Sequence, residues 1–130
     1  MWSYENGVWL FYKPNLTDRT LTTMEDGKGY WINMTAPDTL IVNGTETPPV
    51  IPPFSLPIKT YTLTNNDWNL IGFKSVSEMK AVDYIHEYTD NELTNNSALW
   101  YYLNSSNSYS AQLNKDATLK SGYGYWLLLR

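Results

Sequence analysis

Side chains able to do acid-base or metal chemistry are sparse in this sequence. The lone histidine, His86, stands in "DYIHEY" with Asp83 shortly before it and Glu87 beside it. A single imidazole at the end of a helix reads as a solvated residue favoured by the C-terminal dipole rather than as a base or ligand. Without a cysteine or a second histidine, a zinc site lacks its donors. None of the 13 acidic residues stands in a recognisable glycosidase context. Oxygen donors of the kind calcium accepts gather at Asp90, Asn91 and Glu92 and again at Asn65, Asn66 and Asp67, but neither run has EF-hand spacing. Asx side chains in such runs serve turns. The expectation is no enzyme, no metal and no cofactor, with calcium the one ion these runs leave open.

The other chemical suggestion is a glycine motif written twice, as "GKGYWINM" from Gly27 and "GYGYWLLLR" from Gly122. A dinucleotide fingerprint needs a third glycine and a helix opening directly behind it. Here Tyr30, Trp31 and Ile32, or Tyr125, Trp126 and Leu127, follow instead, and these are strand formers. The motif therefore reads mechanically. Gly27 and Gly122 are placed for the positive φ of a tight turn, while Gly29 and Gly124 enter a strand where a missing side chain lets a neighbouring ring lie close. Both faces of that strand are apolar, as in a central, buried strand. Trp31, Trp126, Trp68, Leu70 and Ile71 are the expected most buried positions.

The elements that hold these residues follow from composition and patterning. A chain of 130 residues is long enough to bury a core. With 6 Trp and 11 Tyr against 3 Phe, much of that core or surface is built from rings with polar tips. The net charge is −4 with no basic run, which excludes phosphate-backbone binding and so nucleic acid as a partner. No apolar run reaches the length of a membrane span. Five Asn-x-Ser/Thr acceptors, at Asn15, Asn33, Asn43, Asn95 and Asn104, suit the surface of an exported glycoprotein.

Five of the seven prolines fall within "GTETPPVIPPFSLP", residues 44–57. Pro-Pro steps favour extended polyproline geometry, so this is a semi-rigid connector. It divides the chain into an upstream part (1–43), a linker (44–58) and a downstream part (59–130). The two parts repeat one another: Trp2 answers Trp100, Tyr4 answers Tyr102, Trp9 answers Tyr109, Leu21 answers Leu119, and each part closes on Gly-x-Gly-Tyr-Trp. The downstream copy carries an extra front end. In "DWNLIGF", Trp68, Leu70 and Gly72 take one strand face and Asn69, Ile71 and Phe73 the other. In "SVSEMKAVDYIHEY", Ser75 and Glu78 have the form of a capping box at the start of a helix over about 76–86. The upstream copy lacks this front end, as though the chain began inside the module. Its sheet edge and apolar face then need cover, from the downstream module or from a second copy of the chain. The fold class is mainly β: small antiparallel sheets from a duplicated aromatic-rich module, with strands near 2–5, 8–12, 29–34, 60–64, 68–73, 99–103, 108–113 and 123–129 and one short helix.

The order "DWNLIGF", helix, "LWYYLNSSNSYSAQL", then "LKSGYGYWLLL" resembles a repeated module of cell-surface, S-layer-associated proteins of methanogenic archaea and some bacteria. The resemblance covers residues 59–130 and, in part, 1–34. Asp67 stands where that pattern has Gly, and Ser121 or Asp26 where it has Pro. The resemblance implies an exported, extracellular envelope protein of several modules with no catalytic residues. Two functions follow: a structural or adhesive module whose partners are neighbouring modules or a second copy, or a carbohydrate-binding module that stacks cell-surface glycans on Trp2, Trp9, Tyr12, Tyr101 and Tyr109. Rings aligned in a solvent-facing groove would mark the second.

Overall fold

The computed structural model describes residues 1–39, 41, 62–75, 77–89 and 91–130. The proline-rich linker, the Asn43 acceptor, Val76 and Asp90 lie outside the described residues, as do positions 60 and 61 of one expected strand. The chain is mainly β, with small antiparallel sheets and one short helix among the described residues.

Strands β1 (Trp2–Glu5) and β2 (Val8–Phe11) form a hairpin. Asn6 (φ 50°) and Gly7 (φ 78°) make its two-residue turn, and both adopt the positive φ that this connection demands. A four-stranded sheet has the order β3-β8-β5-β6, from β3 (Trp68–Gly72), β8 (Gly124–Leu128), β5 (Ala98–Leu103) and β6 (Ser108–Tyr109). A third pair joins β4 (Met79–Lys80) to β7 (Thr118–Leu119). The Gly-x-Gly-Tyr-Trp strand of the downstream part is thus central, with a hydrogen-bonded neighbour on each side.

The helix α1 runs Ala81–Tyr88, several residues later than the capping-box pattern predicts. Two backbone events displace it. Met79 and Lys80 are taken by the pairing with β7, and the first helical N–H groups find tertiary acceptors, Ala81 donating to the Ala117 carbonyl at 2.9 Å and Val82 to Lys115 at 2.8 Å. Groups that a capping side chain would satisfy are therefore already satisfied. Ser75 Oγ instead accepts the Ser77 N–H at 3.1 Å in the preceding turn.

The core lies between α1 and one face of the sheet: Tyr84 and Ile85 pack with Ile71, Phe73, Leu99, Leu119, Tyr125, Leu127 and Leu129. This corrects the expected burial. Leu70 and Ile71 are buried, but Trp31 and Trp126 are only half-buried and Trp68 is 39% exposed. The physical reason is the period of two along β8. The helix covers the Tyr125, Leu127 and Leu129 face, which leaves Trp126 on the opposite face with Trp68 and Trp100.

The upstream Gly-x-Gly-Tyr-Trp stretch is not a full strand over 29–34. It forms two antiparallel bridges, Trp2 with Trp31 and Lys28 with Ile71, and so joins the hairpin to the free edge of β3. Gly29 donates to the Leu70 carbonyl at 3.0 Å and Gly72 to Gly27 at 2.9 Å. Close approach requires the glycines: a Cβ at Gly29 would sit 2.7 Å from Leu70 Cγ, and one at Gly72 would sit 2.5 Å from the Lys28 carbonyl oxygen. The neighbour at Gly29 is a leucine and a backbone, not the ring expected. Gly27 (φ 80°) and Gly122 (φ 82°) do take the positive-φ turn positions. No helix among the described residues is long and apolar enough to cross a membrane.

Candidate functional site

On the sheet face opposite α1 lies an open groove of about 420 Å3 lined by Tyr4, Trp9, Trp68, Trp100, Tyr109 and Trp126. Every lining residue is Trp or Tyr. Three local rules of sequence bring them together. On β8 and β5, cross-strand pairing sets Trp126 directly opposite Trp100, and on the other flank Leu70 opposite Trp126 with Trp68 two residues before it. In the hairpin, Tyr4 is paired with Trp9, and both fold onto Trp126, with ring centroids 5.3 Å and 5.7 Å away. Tyr109 enters from β6, opposite Tyr102.

The rings meet at steep angles. Tyr4 and Trp9 lie at 63°, Trp9 and Trp126 at 68°, and Trp68 and Trp126 at 85°. The most nearly parallel of these touching pairs, Trp68 and Trp100, is still tilted by 45° with centroids 5.3 Å apart. Such edge-to-face contacts each contribute about 0.5–1.5 kcal/mol beyond area burial, so the groove walls are stiffened by mutual ring packing. The walls remain accessible: Trp9 is 50% and Tyr109 51% exposed. Trp126 is the floor, and its indole N–H is shut off from solvent among the rings without a hydrogen-bond acceptor.

Of the five residues proposed to stack sugars, Trp9 and Tyr109 line this groove. Trp2, Tyr12 and Tyr101 do not. Trp2 is exposed and exchanges backbone hydrogen bonds with Trp31. Tyr12 carries the Arg19 guanidinium 5.3 Å above its ring. Tyr101 packs edge-on against Tyr123 and Tyr125 towards the helix side. Trp31 builds a separate small cluster with Tyr102 (4.5 Å) and Tyr109 (6.2 Å). Reasoning from sequence missed Tyr4 and Trp100 as groove residues and treated Trp68 and Trp126 as core. The signal was present in the alternation Trp2, Tyr4 and Trp100, Tyr102, which assigns each pair to one strand face, but not which face the helix would cover.

The remaining candidates behave as turn and surface chemistry. Asn69, buried, donates to the Thr64 and Asp67 carbonyls and accepts from the Thr64 N–H, closing the turn before β3. Asn91 donates to Asn65 Oδ1 and accepts the Leu63 N–H, while Asp67 accepts from Trp68, so these oxygens are engaged within the fold. Among the described residues no group of three or more His, Asp or Glu side chains converges on a metal position. His86 is exposed and its Nδ1 lies 2.6 Å from Glu92. Lys28 bridges Glu5 at 2.6 Å and Glu25 at 2.9 Å beside the seam. Partial burial pulls its pKa down, but hydrogen bonds and attraction from the two carboxylates outweigh it, and the net shift is upward. Burial raises the phenols of Tyr30 and Tyr125. Four sequon asparagines, Asn15, Asn33, Asn95 and Asn104, are exposed.

A scan against protein-family models and searches of the curated proteins and of the solved structures return no match for this chain.

Proposed function

We propose that this chain is a non-catalytic structural and adhesive module of an exported cell-envelope protein, and that its adhesive surface is the aromatic groove. The observation that carries the reading is the groove itself: six Trp and Tyr rings, four of them contributed by the sheet strands β3, β5, β6 and β8, converge on one solvent-open concavity. A large open apolar concavity marks interaction rather than packing. Supporting the extracellular setting are the exposed sequon asparagines and the resemblance of "DWNLIGF" and "LKSGYGYW" to surface-protein modules. Supporting a duplicated architecture is the pairing register. Trp2 faces Trp31 in the upstream part as Trp100 faces Trp126 downstream, and Tyr4 faces Trp9 as Tyr102 faces Tyr109.

Carbohydrate stacking is the second reading, favoured by Trp9 and Tyr109 in the groove and disfavoured by the steep inter-ring angles, which leave no coplanar platform. The test is retention of beads coated with the chain on immobilised chain and on insoluble polysaccharides. Retention should fall when Trp9→Ala and Trp68→Ala are combined, and retention on neither surface would reject an adhesive groove.

A further inference from the structure

The chemistry of the groove points to a particular kind of ligand. Resting on the adhesive reading above, we propose that the groove binds a proline-rich strand in polyproline II conformation, and that its occupant is the stretch Pro48–Pro57 of a second copy of the chain.

Three properties carry this. The first is shape. Rings that stand at 57° to 85° to one another, as Tyr4, Trp9 and Trp68 do around Trp126, make slots with walls. Slots between aromatic edges accept the ridges of a polyproline helix, the mode by which aromatic grooves recognise such strands. A pyranose needs a flat face.

The second is hydrogen-bonding capacity. The lining offers the indole N–H groups of Trp9, Trp68 and Trp100, that of Trp126 being enclosed, together with phenol O–H groups, and contains no carboxylate, amide or cationic side chain. An indole only donates, and a phenol oxygen is the sole side-chain acceptor type present. A polyproline strand is the complementary object. Its carbonyls are unpaired and face outward, and its prolines have no N–H to satisfy. Sugar hydroxyls bring donors for which this groove holds few acceptors.

The third is the ligand in the chain's own sequence. Residues 44–57 hold five of the seven prolines and one ionisable side chain, Glu46, so a nearly neutral strand meets an uncharged groove. Within it Pro49 and Pro52 bracket Val50 and Ile51. At three residues per turn and about 3.1 Å rise, these prolines share a face about 9 Å apart. Ile41, which precedes the stretch in sequence, is 76% exposed. Groove and strand are different patches, so the contact is head-to-tail and propagates along a row of molecules. Propagation of that kind serves an adhesive module.

The experiment uses the full chain in light scattering across a concentration series. The expected result is a weight-average mass that rises from 15.0 kDa with concentration. Two variants should each stay monomeric: Trp9→Ala with Trp68→Ala, and Pro49→Ala with Pro52→Ala and Pro53→Ala. Both alter exposed rings or the connector, and a cooperative urea transition, even at a lowered midpoint, certifies their folds. Mixed together, one supplies a competent strand and the other a competent groove, so a one-to-one dimer should appear that cannot extend. An independent arm adds the peptide TPPVIPPFSLP to the native chain. It should disperse the assemblies and shift tryptophan emission to the blue, with affinity weakened about tenfold or more by loss of the two rings. Association that survives the proline substitutions overturns the proposal. So does a native chain that is monomeric at all concentrations, as it would be were the strand of the same molecule to fill the groove, and so does a peptide that leaves the emission unmoved. Monomers that nevertheless stick to polysaccharide reject the proline ligand and retain the adhesive groove; chains that stick to nothing reject both.

Discussion

Substituting Gly72 with alanine should separate the two halves of the molecule. In the native seam the Gly72 N–H donates to Gly27 at 2.9 Å and the Gly29 N–H to Leu70 at 3.0 Å, and Gly72 lies flat against the Lys28 backbone. A Cβ at position 72 would stand 2.5 Å from the Lys28 carbonyl oxygen and 3.1 Å from its carbonyl carbon. Neither atom is the end of a side chain that can swing aside. Restoring an ordinary carbon–oxygen contact of about 3.3 Å requires the upstream segment to retreat by about 0.8 Å, which stretches both hydrogen bonds beyond good geometry. Two lost bonds at about 1 kcal/mol each, with about 1–3 kcal/mol of overpacking, oppose the gain of about 0.5–1 kcal/mol that alanine brings over glycine in a strand. The net cost is about 2–4 kcal/mol, a large share of a domain's stability. Gly124→Ala is the internal control: its Cβ would meet nothing nearer than 3.8 Å, so it should show the strand gain alone and stabilise by about 0.5–1 kcal/mol. Urea unfolding followed by tryptophan emission measures both, and hydrogen exchange at Trp2 and Trp31 reports whether the hairpin has come loose. A Gly72→Ala chain as stable as the native one, with those amides still protected, would refute the seam.

Leu127→Ala should cost about 2–5 kcal/mol by cavity formation, and Trp9→Ala, at a half-exposed groove wall with two edge-to-face ring contacts, about 1–3 kcal/mol in urea while also reducing adhesion. Stability should fall at alkaline pH. The folded-state pKa values of Tyr125 and Lys28 lie above their ordinary 10.0 and 10.5, so the stability linked to them is whole below about pH 10 and is lost as pH climbs through the raised values. Tyr125→Phe should flatten that fall, read as urea midpoints from pH 8 to 11, at the cost of the acceptor that Tyr125 Oη gives the Lys120 N–H at 2.9 Å. Expression through a glycosylating secretory route should add glycans at the exposed Asn15, Asn33, Asn95 and Asn104, and intact mass before and after enzymatic glycan release counts them.

How much of this was legible in the sequence depends on the range of the interaction concerned. Local rules transferred well: the paired strands near 2–5 and 8–12, the positive φ of Gly27 and Gly122, and the centrality of the Gly124–Leu128 strand all follow from backbone chemistry within a few residues. Alternation also divided β3 correctly into a Trp68, Leu70 face and an Ile71, Phe73 face. What alternation cannot supply is which of two apolar faces receives the helix α1. Tryptophan carries the larger apolar area, so burial of Trp126 and Trp68 was the natural expectation, yet the helix chose the Tyr125, Leu127 and Leu129 face. Those smaller side chains interdigitate with Tyr84 and Ile85 at helix-to-sheet distance. The displaced helix start has the same origin, since acceptors at Ala117 and Lys115 are remote in sequence and no local pattern announces them.

The seam explains how the upstream part is held against the downstream part. In the downstream part the front strand β3 pairs through Ile71 and Gly72 with Tyr125 and Gly124 of the motif strand. On its other edge the same Ile71 bridges Lys28, between the two glycines of the upstream motif. One strand therefore serves both parts, and each part lays its Gly-x-Gly beside it. The shared strand also fixes where the hairpin must sit. Once Lys28 is held against Ile71 and Trp31 against Trp2, Tyr4 and Trp9 are carried over Trp126. The groove is thus a consequence of the seam: the upstream part supplies two walls, the downstream part supplies the floor and the other walls, and neither part alone encloses it.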